Sequence, residues 1–178
     1  MSEIAKSTQG DVLCFFHINV NCSDFERSLA FYRLIGFEIV LDFAACGDAS
    51  FGEVGLGPVL RLPDDCDGRA AMLMLDGDQR GLRLDLIEWR SPREAAPPQR
   101  SLAQPGVGRI CLRTVDAAAV HARLSGAGHH CYSAPKRITL GGSNIEVFCA
   151  EDPDGVVIEF MQFRGAAARR GQLAGVLK

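Results

Sequence analysis

The 178-residue chain has no basic run long enough to follow a phosphate backbone, so nucleic acid is not an expected partner. No apolar stretch reaches the ~20 residues that a membrane span needs, and Met1 to Asp11 lacks the hydrophobic core of a signal peptide. The seven cysteines are odd in number and never fall in a Cys-x-x-Cys spacing. That argues against a zinc or dithiol redox motif and against a disulfide framework. A reducing cytoplasm is the expected compartment, with Cys14, Cys111 and Cys149 as small strand residues. What is present is an ordinary globular balance: 47% apolar, 23% charged and a net charge of −3.

The chain repeats itself. His17-Ile-Asn-Val is matched by Arg109-Ile-Cys-Leu, and each is followed by an acidic residue placed to open a helix, Asp24 and Asp116. Glycines placed to close those helices, Gly36 and Gly128, complete three landmarks that all share an offset of 92 residues. Ser23-Asp-Phe-Glu26 reads as a capping box. Phe25, Leu29 and Tyr32 recur at helical spacing, and Gly36 suits a left-handed cap. Val120 and Leu124 give the second helix a weaker stripe.

Strand signals follow each helix: Phe37 to Phe43, Ala70 to Leu75 and Leu82 to Trp89 in the first copy, then His130 to Ser133, Asn144 to Ala150 and Val156 to Phe163 in the second. Asp152-Pro-Asp-Gly155 reads as a type I turn within a hairpin. Each half is therefore βαβββ. The expected organisation is a first module over 12–90 with an insertion at 44–68, a linker over 91–105, a second module over 106–163, and a loosely held tail over 164–178. The insertion, rich in Gly, Asp and Pro, is expected to be a long loop or lid.

These stretches resemble the vicinal oxygen chelate superfamily, also called glyoxalase/bleomycin-resistance/dioxygenase. The resemblance rests on FHINVNCSDFERSLAFYRLIGFE, LRLDLIEW, GVGRICLRTVD and FCAEDPDGVVIEFMQF, and covers roughly residues 12–163. It implies an α+β fold, with two tandem βαβββ modules forming a cupped, curved mixed sheet and helices outside. It also implies ligands on the first and last strands of each module, which here are His17, Asp85, Arg109 and Glu159.

Strand parity agrees. Phe15, His17, Asn19 and Asn21 share one face of the first strand, opposite an apolar face of Cys14, Phe16, Ile18 and Val20. Arg109, Cys111 and Arg113 are their counterparts. Arg83, Asp85, Ile87 and Trp89 share a face of one closing strand, and Val157, Glu159, Met161 and Phe163 of the other. The expected cup holds these polar groups inside an aromatic wall of Phe15, Trp89 and Phe163.

Arg109 stands where the superfamily pattern usually has histidine, and a guanidinium has only donors. Asp85 stands where Glu or Gln is more usual. Three readings follow. In the first, His17, Asp85 and Glu159 hold a divalent metal (Fe, Mn, Mg or Zn). In the second, Arg109 replaces the metal and His17 serves as acid or base. In the third, the cup binds a small molecule such as an antibiotic without chemistry. The resemblance favours a small organic substrate handled by enolate or proton-transfer chemistry, of isomerase, epimerase or lyase type. Glu159 and His17 are the expected catalytic residues. Arg109, Arg113, Asn19, Phe15, Trp89 and Phe163 are the expected substrate contacts. A ring-cleaving dioxygenase is less expected, because the second histidine is missing. A homodimer is expected. His121, His129 and His130 are read as surface or structural, Tyr32 as core, and Arg83 and Arg113 as rim charges.

Overall fold

A computed structural model of the chain describes residues 15–45, 47, 50–78, 81–95 and 101–164. The expectations for Cys14 and for the tail beyond Arg164 lie outside the described residues. The first module runs β1 (His17–Asn21), α1 (Phe25–Leu34), β2 (Phe37–Asp42), α2 (Leu56–Leu60), β3 (Asp67–Leu75) and β4 (Arg83–Ser91). The second runs β5 (Ile110–Arg113), α3 (Ala117–Gly126), β6 (Lys136–Leu140), β7 (Ser143–Glu151) and β8 (Val157–Arg164). Each forms a four-stranded mixed sheet, ordered β1-β4-β3-β2 and β5-β8-β7-β6. In both, the opening strand lies at the edge and pairs parallel with the closing strand.

The duplication is repeated in the local chemistry. Asp24 and Asp116 both adopt extended backbone, and each accepts a hydrogen bond of 2.9 Å, from the amides of Arg27 and Ala119. The expected capping box does not form. Ser23 bonds to the second module instead, and Glu26 pairs with Arg69. Gly36 and Gly128 sit at φ +100° and +84°, beyond helix ends where a side chain would be strained. Each helix start is also tied to its closing strand: Glu88 accepts from the Phe25 amide at 3.1 Å, and Gln162 from the Ala117 amide at 3.0 Å.

One face of each sheet packs under the helices in a continuous core. Phe25, Leu29, Phe31 and Tyr32 of α1 and Val120 and Leu124 of α3 lie against Val20, Leu84, Leu86, Ile110, Phe148, Ile158 and Phe160. Each large side chain removed from water contributes roughly 2–3 kcal/mol. Tyr32 is core, as the sequence implies. His129 packs on Phe31 and His121 on Phe148, both edge-on, and His130 pairs with Glu151. Phe16 departs from its expected apolar face: it is exposed, with the Arg83 guanidinium over its ring.

Two other expectations are corrected. His130 to Ser133 contributes only a single bridge, between Cys131 and Ala150, and the strand forms at Lys136–Leu140. Pro135, which lacks an amide to donate, delays it. The insertion at 44–68 is more than a loop. It contains α2, and β3 begins inside it at Asp67. Gly52 and Gly57 let its backbone fold tightly: a Cβ there would lie 2.3 Å from the Asp64 carbonyl oxygen and 2.4 Å from that of Pro63.

The modules are joined at α1. The Asp152-to-Gly155 turn closes with a hydrogen bond from the Gly155 amide to the Asp152 carbonyl. Its two carboxylates reach the first module: Tyr32 donates to Asp152 at 2.9 Å, and Asp154 accepts from the Ser23 amide and hydroxyl and from Arg27.

Candidate functional site

A cleft of about 1020 Å³ lies between the edge strands of the two sheets. The first sheet contributes Asn19, Asn21, Ile87 and Trp89, and the second Arg109 and Val157. Leu60 and Leu62 of the insertion line it as well. The insertion thus borders the site.

Behind each edge strand lies a buried carboxylate. Asp85 is 8% exposed and Glu159 7%. Both belong to the faces turned away from the helices, as parity requires, because their neighbours Leu84, Leu86, Ile158 and Phe160 fill the core. In the first sheet Asn19, directly across from Asp85, donates to it at 2.9 Å. In the second, Arg109 Nε donates to Glu159 Oε1 at 2.8 Å. Two copies of one scaffold therefore hold their acids from different positions.

The first pair is incompletely satisfied. Asp85 Oδ1 and His17 Nδ1 are buried and have no hydrogen-bond partner among the described residues. Burial pushes the Asp85 carboxyl above its ordinary range, against the opposing pull of His17 and the Asn19 bond. Leaving such atoms unpaired costs about 1–3 kcal/mol each. In the second sheet Cys111 lies across from Glu159. Burial and its hydrogen bond to Glu159 push the Cys111 thiol up to about 12, so it is a poor nucleophile.

The aromatic residues are spread out. Phe15, 69% exposed, precedes β1, whereas Trp89 lies toward the far end of β4, so the two sit at opposite ends of the first sheet. Trp89 packs against Phe51 and donates to Asn21 at 3.0 Å. Phe163 lies beneath the Arg113 guanidinium near the end of β8. Of the expected substrate contacts, the cleft gathers Asn19, Trp89 and Arg109. Strand parity placed Asn21 on the cup face with His17 and Asn19, and it lines the cleft; sequence reasoning passed over Leu60 and Leu62.

Residues 15–160 match the family model described as Glyoxalase/Bleomycin resistance protein/Dioxygenase superfamily. The chain belongs to this superfamily. Solved structures of the same kind share its fold. A glyoxalase family protein from Bacillus cereus aligns with a TM-score of 0.74 at 15% identity, over 89% of this chain and 99% of that one. A glyoxylase/bleomycin resistance protein/dioxygenase domain from Frankia sp. gives 0.60 at 16% identity, over 87% and 95%. A glyoxalase I variant from Zea mays gives 0.56 at 15%, over 83% of this chain and 44% of that one. No curated protein matches the chain. No helix among the described residues is long and apolar enough to cross a membrane.

Members of the superfamily often bind divalent metals and small molecules and are often dimeric. The residues here do not fit a metal held within one chain. His17 and Asp85 stand on one sheet, Glu159 on the other is engaged by a guanidinium, and among the described residues no three His, Cys, Asp or Glu side chains gather to hold an ion.

Proposed function

We propose that this protein is an enzyme of glyoxalase-like type that moves a proton on a small organic substrate bearing neighbouring oxygens or an enolisable carbon, with Arg109 as the fixed positive charge. The observation that carries the reading is that the first sheet holds His17 Nδ1 and Asp85 Oδ1 buried and unsatisfied behind the Asn19 that lines the cleft, while Arg109, anchored on Glu159, lines it from the second.

Arg109 uses Nε to hold Glu159, so its planar fork keeps two amino groups for a developing enolate oxygen. Glu159 is thereby the anchor of the guanidinium, and proton transfer falls to the His17–Asp85 pair. A carboxylate held above its ordinary range is a stronger base, which suits abstraction of a carbon-bound proton. Asn19 keeps Asp85 oriented. The chemistry is of isomerase, epimerase or lyase type, and a homodimer is part of the same reading.

The test is deuterium incorporation in D₂O at the carbon beside the carbonyl, across a panel of small 2-oxo acids, hydroxyketones and dicarbonyls, followed by proton NMR. Exchange by the native protein that is lost in Asp85→Asn supports the proposal. Saturable binding of panel members with no exchange would make the protein a binder, as antibiotic-sequestering relatives are, and would overturn it.

A further inference from the structure

The polar side chains of the cleft present a fixed order of donors and acceptors. Asn21 accepts from the Trp89 indole, which can only donate, so its carboxamide oxygen is committed and its NH₂ group is left for a ligand. Asn19 is turned the other way. Its NH₂ group is committed to Asp85, which leaves its carbonyl oxygen as an acceptor. The two stand two residues apart on the same strand face and line the same cleft as the Arg109 guanidinium. Trp89 is held from both sides, by Asn21 and by Phe51. Gly68 makes room for this, since a Cβ there would lie 2.9 Å from the Phe51 ring. Beside the indole, Leu60 and Leu62 add an apolar wall. Three carboxylates also border the cleft: Asp154 is taken by Ser23 and Arg27, Glu151 by His130 and Tyr132, and the exposed Glu94 stands next in the chain to a second guanidinium of the lining, Arg93.

We infer that the ligand of this cleft is a hydroxy acid with an aromatic or branched apolar body. Its carboxylate meets Arg109 and the Asn21 NH₂ group, its hydroxyl donates to Asn19, and its apolar body lies on Trp89, Leu60 and Leu62. This rests on the proposed function in using the same cleft, and it adds the class of molecule. A neutral ligand gives no charged partner to the two amino groups of Arg109 that its Nε bond to Glu159 leaves over. A ligand without a donor leaves the Asn19 oxygen unmet, and a ligand without an apolar body leaves the indole and leucines in water.

Trp89 is the single tryptophan of the chain, so its fluorescence reports occupancy directly. The protein is titrated with 3-phenyllactate, 3-phenylpropionate, 3-phenyllactamide and lactate. We expect saturable quenching by phenyllactate. Binding should weaken by about tenfold without the hydroxyl, and by about 10²-fold without the charge or without the ring. Asn21→Asp keeps an oxygen for the indole and replaces only the NH₂ donor with a repelling one, so it should abolish phenyllactate binding with an unchanged circular dichroism spectrum. Leu60→Ser should weaken phenyllactate, measured by calorimetry, and leave lactate unaffected. Equal binding of phenyllactate, phenylpropionate and the amide, or full affinity in a folded Asn21→Asp variant, would overturn the inference. Phenyllactate binding without deuterium exchange on any substrate refutes the proton-transfer reading alone. Exchange on a short neutral substrate with no phenyllactate binding refutes this inference alone.

Discussion

Arg109 Nε lies 2.8 Å from Glu159 Oε1, so the residue at the usual histidine position of the second module is bonded to the carboxylate on the neighbouring strand. The bond sets the guanidinium plane. Arg109→Lys keeps the charge, but a single ammonium cannot hold Glu159 and also present a planar fork. We expect exchange activity to fall by about 10²-fold in Arg109→Lys and further in Arg109→Gln. An unchanged rate in the lysine variant would mean that charge alone suffices.

Asp85→Asn tests the strain at the first half-site. The Asp85 carboxyl is held above its ordinary range by burial. The folded state therefore binds its proton more tightly than the unfolded state, and the native protein loses stability as pH rises through the interval between the two values. Below that interval Asp85→Asn and the native protein should melt alike. Above it the amide should be the more stable, by about 1 kcal/mol, while exchange activity is lost. Thermal unfolding across pH reads both, and a difference that does not depend on pH would remove burial of the charge as the cause.

Tyr32→Phe removes the hydroxyl that reaches Asp152 across the module boundary. Asp152 is buried and its carboxyl is pushed up by that burial, so the lost donor leaves an oxygen exposed to neither water nor protein. A loss of about 1–3 kcal/mol in denaturant unfolding is expected, with no change in phenyllactate affinity. A neutral substitution would show that the turn is held by Asp154 alone.

Gly52→Ala places a Cβ against the Asp64 carbonyl oxygen. The backbone of the insertion must shift, at a cost of about 1–3 kcal/mol, and Phe51 should leave the indole face with it. The expected signature is a red shift of Trp89 emission with weaker ligand binding. If the emission is unchanged, the insertion does not hold Trp89.

Metal content separates the Arg109 reading from the first of the sequence-based ones. Protein purified without chelators should carry no stoichiometric Fe, Mn, Mg or Zn, and dialysis against EDTA should leave exchange intact. Activity that is lost on dialysis and restored by one ion, with less metal retained by His17→Ala, would establish His17 as a ligand and sink the proposal.

The fold was legible because its determinants are local. Asp24 and Asp116 cap by reaching amides three residues away, Gly36 and Gly128 provide the left-handed stops, and alternation along β1, β4, β5 and β8 assigns faces. The family resemblance pointed to Asp85 and Glu159, and the same alternation agreed with it. What could not be read depends on distant partners. Ser23 looked like a cap, but its partner Asp154 lies 131 residues away. The short α2 contains Gly57 and Pro58, which mask a helical signal. Leu60 and Leu62 reach the cleft only because Gly52 and Gly57 let the insertion fold onto itself. The commitment of each asparagine depends on whether its neighbour donates or accepts, which pairing across strands decides.

The unequal anchoring of the two acids has a consequence for orientation. A scaffold with true twofold symmetry would accept a ligand equally well in either of two head-to-tail orientations. Here one end offers an amide oxygen before Asp85 and the other a cation before Glu159. A ligand turned end for end meets the wrong group at both ends, so the two half-sites distinguish the ends of whatever the cleft holds. The divergence of the two copies gives the cleft a fixed direction.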